Sequence, residues 1–128
     1  MGANQTAEIA GSLNKVYEGV SSPDDPPTAY CTIEATTSSD AQVWIQALPG
    51  NVNMVYPLTD EPLELLSRRG VRSPTDMYLV EWAPGEYATF GFSDITARDH
   101  ASFIDQLFVK ILGCDDETYS LKTTIESL

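Results

Sequence analysis

Histidine is almost missing from this 128-residue chain: His100 is the only one, and it is accompanied by two cysteines, Cys31 and Cys114. A closed zinc site asks for about four Cys or His ligands at set spacing, and these scattered side chains do not supply them. Nucleophilic catalysis needs a nucleophile, a base beside it and a group that orients the base. His100 would have to be that base, yet neither thiol sits in a local signature of Cys–His enzymes. The spacing instead places His100 one turn before Ile104, as a partly packed boundary residue at the start of a helical stripe. Two cysteines are too few for a disulfide framework, so both thiols are read as reduced.

Positive charge is also scarce. Seven Lys and Arg stand against 19 Asp and Glu, a formal net charge of −12. Affinity for nucleic acid comes largely from cations that displace condensed counterions, so this balance excludes a nucleic-acid binder, and anionic membranes are disfavoured for the same reason. No window approaches the roughly 18 apolar residues of a membrane span. The start, Met1-Gly2-Ala3-Asn4-Gln5, has neither the basic segment nor the apolar core of a signal peptide. Gly2 with Thr6 fits a myristoylation pattern in form only. There is no G-x-G-x-x-G and no Gly-Lys-Ser or Gly-Lys-Thr to cradle phosphate. Asp24-Asp25 and Asp115-Asp116-Glu117 lack the alternating spacing of a calcium loop and read as solvated turns. With so many acidic residues, a carboxylate pair suited to acid–base work can always be picked out, so such a pair carries no information. These absences lead to the expectation of a cytoplasmic protein without catalytic residues, metal or cofactor.

What is present is one domain's worth of chain, 42% hydrophobic and 20% charged, which is ordinary for a globular protein. Ile9, Leu13, Val16, Tyr17 and Val20 form one apolar stripe, which predicts a helix beginning near Thr6, weakened by Gly11 and Asn14. Ser21-Ser22-Pro23-Asp24-Asp25-Pro26-Pro27 breaks regular structure. β-Branched and alternating segments then predict strands over Ala29–Thr37, Gln42–Leu48 and Val52–Tyr56, joined by short turns at Ser38–Asp40 and Pro49–Asn51. A short helix follows, with Thr59 as N-cap, Leu63, Leu65 and Leu66 buried, and Arg68, Arg69 and Gly70 at its end. Strands over Met77–Trp82 and Tyr87–Phe92 precede a helix opened by a capping box, Thr96 to Asp99. Its stripe is Ala97, Ala101, Ile104, Leu107, Phe108 and Ile111, with Asp105, Gln106 and Lys110 opposite, and Gly113 ends it. Tyr119–Ile125 alternates as a last strand. The order α-βββ-α-ββ-α-β predicts an α+β fold, a two-layer sandwich in which three helices pack on an antiparallel sheet of five to six strands.

Two sets of residues are candidates for binding another protein. The strand aromatics include Trp44, Tyr56, Tyr78, Trp82, Tyr87, Phe90 and Phe92. Alternation puts Phe90 with Phe92 on one face, and Tyr78 with Trp82 on one face of their strand. Most must be core, but any that point away from the helices would form an apolar patch of the kind that marks a binding surface. Arg68 and Arg69, with Arg72 nearby, are the only cationic cluster; they complement a helix end and could also meet an acidic partner. The acidity keeps the chain soluble, and it would steer in a basic partner.

The element order, the small size and the acidity resemble the type III secretion chaperones and the related YbjN-like, or TY-chaperone, domains of bacteria. The resemblance runs from about Thr6 to Leu112. It is carried by Asn53-Met54-Val55-Tyr56-Pro57-Leu58, Arg69-Gly70-Val71, Glu81-Trp82-x-Pro84-Gly85 and Leu112-Gly113-Cys114. It implies a non-enzymatic domain that binds an extended peptide of a client along its sheet and helix surface and works as a homodimer. The alternative is a small acidic immunity or inhibitor protein that neutralises a toxin or nuclease. In either reading the partner is another protein or an extended peptide, and for a client the acidity favours a basic one.

Overall fold

The computed structural model describes residues 3–18, 29–74, 76–93, 96–115 and 119–127. Gly2, Val20, the Ser21–Pro27 stretch with its acidic pair, Asp116 and Glu117 lie outside the described residues. The elements are α1 (Ala3–Glu18), β1 (Ala29–Thr36), β2 (Gln42–Leu48), β3 (Asn51–Val55), α2 (Pro62–Arg68), β4 (Tyr78–Ala83), β5 (Tyr87–Gly91), α3 (Ala97–Gln106) and β6 (Leu121–Ser127). A π-helical turn, Leu107–Ile111, extends α3. The strands form one six-stranded antiparallel sheet in the order β4-β5-β3-β2-β1-β6. This is the expected α+β sandwich, with the sheet packed against the helices.

Alternation along the strands builds the core. Cys31, Ile33 and Ala35 of β1, Ile45 and Ala47 of β2, Val52 and Met54 of β3, and Ala88 and Phe90 of β5 all face the helices and are buried. From the other layer come Ile9, Leu13 and Val16 of α1 and Ala101, Phe103 and Ile104 of α3. Gly11 and Asn14, the weak residues of α1, lie on its exposed side, where they remove no packing. Phe103 meets Phe90 and Phe92 edge-on, with ring centroids 6.2 Å apart in both pairs.

Helix ends follow the sequence with one shift. Thr96 caps α3, its Oγ1 accepting the Asp99 N–H at 3.1 Å. The cap of α2, however, is Glu61 rather than Thr59, and its carboxylate accepts the Glu64 N–H at 2.7 Å. Pro62 decides this: with no N–H to satisfy, it is most at home as the first helical residue. At the other end Val71 N–H donates to Leu66 C=O at 3.0 Å and Gly70 N–H to Ser67 C=O at 3.2 Å, a Schellman closure.

Three expectations are corrected. Asp105 and Gln106 do not face solvent: they are 1% and 6% exposed. Asp105 accepts a hydrogen bond from Tyr119 Oη at 2.7 Å, and Gln106 Oε1 accepts the Arg72 N–H at 2.7 Å. The chain on either side of α3 closes over its polar flank, which helical periodicity alone cannot foresee. His100 is not a boundary residue but wholly buried. Finally, a β-bulge between Leu79 and Glu81 separates Tyr78 from Trp82. Tyr78 pairs with Gly91, on the face away from the helices, whereas Trp82 pairs with the buried Ala88 and packs against the core. One inserted residue, Val80, exchanges the two faces of the strand beyond it. No helix among the described residues is long and apolar enough to cross a membrane.

Candidate functional site

The helices cover one side of the sheet, and strand register orders the residues on the other into three transverse rows. The middle row runs Thr124, Thr32, Gln46, Asn53, Thr89 and Glu81 from β6 to β4. It is tied into a ladder: Thr89 Oγ1 donates to Asn53 Oδ1 at 2.8 Å, and Asn53 Nδ2 donates to Gln46 Oε1 at 3.3 Å. One flanking row holds Lys122, Glu34 and Trp44, then Val55, Tyr87 and Ala83. The other holds Glu126, Tyr30, Leu48, Asn51, Gly91 and Tyr78. Most of these side chains are half-buried by their strand neighbours, while Glu34, Tyr78, Glu81, Lys122 and Glu126 are exposed.

Two carboxylates hold aromatic neighbours in place. Tyr87 Oη donates to Glu81 Oε1 at 2.6 Å, and Tyr30 Oη donates to Glu126 Oε2 at 2.9 Å. Accepting these bonds, Glu81 and Glu126 push the two phenols above their ordinary pKa, so both stay protonated donors. The far end of the Tyr78 ring lies over Gly91: a Cβ on that glycine would stand 2.6 Å from the tyrosine ring. A glycine at this register position therefore gives the exposed aromatic ring a seat on the sheet. The face thus combines large rings, a neutral amide and hydroxyl band, and carboxylates outnumbering its one cation, Lys122.

The sequence-derived candidates divide. Trp44, Tyr78 and Tyr87 are on the open face. Tyr56, Phe90 and Phe92 are core residues, and Trp82 is packed on the helix side, so none of these four presents an open-face surface. Tyr56 is fixed by its hydroxyl donating to the Asp60 carbonyl at 2.7 Å, and burial pushes its pKa up to about 12. Arg68 is paired with Asp60 at 2.5 Å, and Arg69 donates to the Lys110 carbonyl at 3.0 Å. These arginines tie the end of α2 to the segment that precedes it and to the π turn; they do not join the aromatics. Tyr30, Gln46, Asn53 and Thr89 were missed as site residues. Their signal was available in strict alternation, since each is the neighbour of a buried aliphatic, alanine or cysteine side chain on its own strand.

The reactive groups are placed away from this face. His100 lies between α1 and α3 with Nδ1 2.7 Å from Tyr17 Oη and the Phe92 ring edge-on at 5.0 Å. Burial drives its pKa down to about 4, opposed by the Asn51 backbone, which lies near the ring although no hydrogen bond of good geometry reaches Nε2 among the described residues. Burial likewise pushes Cys31 and Cys114 up to about 11, where a thiolate is rare at neutral pH. Burial and the bond to Asp105 also raise Tyr119. Among the described residues no three His, Cys, Asp or Glu gather as a metal site. Comparison with known proteins gives no match to a family model, a curated protein or a solved structure.

Proposed function

We propose that the chain is a non-enzymatic binding domain that holds an extended, basic segment of another protein on the open face of its sheet. The observation that carries this reading is the composition of that face. Trp44, Tyr87, Tyr78 and Tyr30 provide large contact areas with few torsions to freeze, and such residues dominate binding energy at protein interfaces. The Gln46–Asn53–Thr89 band keeps amide and hydroxyl groups within reach of a partner's main chain. Glu34, Glu81 and Glu126, against Lys122 alone, favour cationic side chains, as does the whole-chain charge of −12. The same features are expected of a chaperone-like domain that takes a client peptide. Burial of the lone imidazole and both thiols favours binding over covalent chemistry.

The test is affinity purification from the native host with wild type and with a Trp44→Ala/Tyr87→Ala variant, read by mass spectrometry. Both side chains lie on the face away from the helices, so the variant should fold. A specific protein retained by wild type and lost by the variant is the expected result. Retention of the same protein by both would move the site elsewhere, and recovery of none would reject the reading. A single toxin or nuclease bound in a tight one-to-one complex would identify an immunity protein instead.

A further inference from the structure

The two edges of the sheet are built differently. β4 is broken by the bulge at Val80 and turns its edge, one of the ways in which proteins blunt an exposed strand. β6 is the opposite edge and is regular: from Leu121 to Ser127 it follows β1 without a register shift. Among the described residues no backbone group bonds to its outer side. The Thr36 N–H donates to the Ser120 carbonyl at 3.2 Å, which sets the phase of the ladder. Even-numbered residues of β6 exchange hydrogen bonds with β1, so Leu121, Thr123, Ile125 and Ser127 turn their N–H and C=O groups outward. The same strand carries Ile125, an apolar side chain 40% exposed, on the helix side.

The sequence of this edge, Leu-Lys-Thr-Thr-Ile-Glu-Ser, is complementary to itself. An antiparallel copy related by a two-fold axis through Thr124 sets Lys122 opposite Glu126 of the second copy, and Glu126 opposite its Lys122. Thr124 meets Thr124 on the axis. On the helix side Ile125 lies opposite Thr123 of the second copy, beside that copy's own Ile125. The outward N–H and C=O groups then exchange bonds, Thr123 with Ile125 and Leu121 with Ser127. Edges are protected against pairing by charged side chains, proline or a bulge; here the two charges have opposite signs and stand symmetrically about the centre, so in a two-fold pair they attract instead of repelling. A two-fold contact must be self-complementary in this way.

We infer that the chain forms a symmetric homodimer by antiparallel pairing of β6 with β6 of a second copy, joining two six-stranded sheets into one. The inference needs no partner on the open face, although Lys122 and Glu126 border both surfaces, so association is read on the chain alone. The contact is one strand wide, so the dimer is reversible and concentration-dependent. Sedimentation equilibrium on the full chain tests it. Wild type should show a monomer–dimer equilibrium, and Lys122→Glu or Glu126→Lys alone should weaken it at least about tenfold, because two attractive cross-strand pairs become repulsive. Mixing the two variants should restore association as a heterodimer, since each of its two cross-strand pairs then joins a carboxylate of one variant to an ammonium of the other. That rescue also shows that both variants are folded. Thr123→Pro, which removes an outward N–H and leaves the bonds to β1 in place, should abolish pairing. A wild type that stays monomeric at high concentration would overturn the proposal, as would single variants that dimerise like wild type or a mixture no more associated than its components.

Discussion

His100 is the residue at which this fold is most exposed to its solution conditions. The folded chain holds the imidazole neutral, with its pKa near 4 against an ordinary value of 6.5. Below that ordinary value the unfolded chain takes up a proton that the native state refuses. The stability tied to this group is therefore complete above about pH 6.5, and it is lost as pH falls towards 4. A gap of this size corresponds to about 3 kcal/mol, a large share of a domain's net stability. Denaturant unfolding at a series of pH values should show that loss in wild type, and a His100→Phe variant should lack that part of the slope. If the two slopes coincide, the imidazole is not held neutral by burial. The position of His100 on the stripe of α3 was legible in the sequence; its complete burial was not, because α1, more than eighty residues away in the chain, packs over it together with the nearby Phe92.

Among the elements, the β2–β3 hairpin and α1 respond in opposite ways to one and the same substitution. Gly50 closes the hairpin at φ +75°, and a Cβ there would stand 2.9 Å from the Phe92 carbonyl oxygen. Gly50→Ala should destabilise the fold by more than about 1 kcal/mol, because it adds both an unfavourable dihedral and a clash with backbone. Gly11 lies mid-helix with open space around its Cα, so Gly11→Ala should stabilise by up to about 1 kcal/mol. Thermal melts of the two variants check both signs. Turn and cap residues such as Pro49-Gly50, Pro62 and Thr96 could be read directly, since their conformational preferences are local. The bulge at Val80 could not: alternation assumes an uninterrupted strand, and only pairing with β5 reveals the extra residue.

At the scale of the molecule, charge acts on stability and on binding with opposite sign. A net charge of −12 repels itself in the compact state and attracts cationic partners. Raising sodium chloride from low to physiological concentration should raise the melting midpoint, and it should weaken retention of a basic partner, because the screening length falls to about 8 Å. A partner whose binding is indifferent to salt would show that the rings, not the carboxylates, provide recognition. The two kinds of surface group are mixed on one face, so the salt series separates them.

The elements, their order, the one-sided burial of the strands and the poverty of reactive groups all follow from local preference and periodicity, and so they stand in the amino-acid sequence alone. Which aromatics form a surface depends instead on tertiary packing. Trp44 and Tyr78 remain on the open face, whereas Tyr56, Phe90 and Phe92 fill the core, because the face of a strand acquires meaning only when a helical layer covers one side of the sheet. Packing also puts Asp105 and Gln106 inside and makes β6 an edge, since both depend on which segments, far apart in the chain, come to lie side by side.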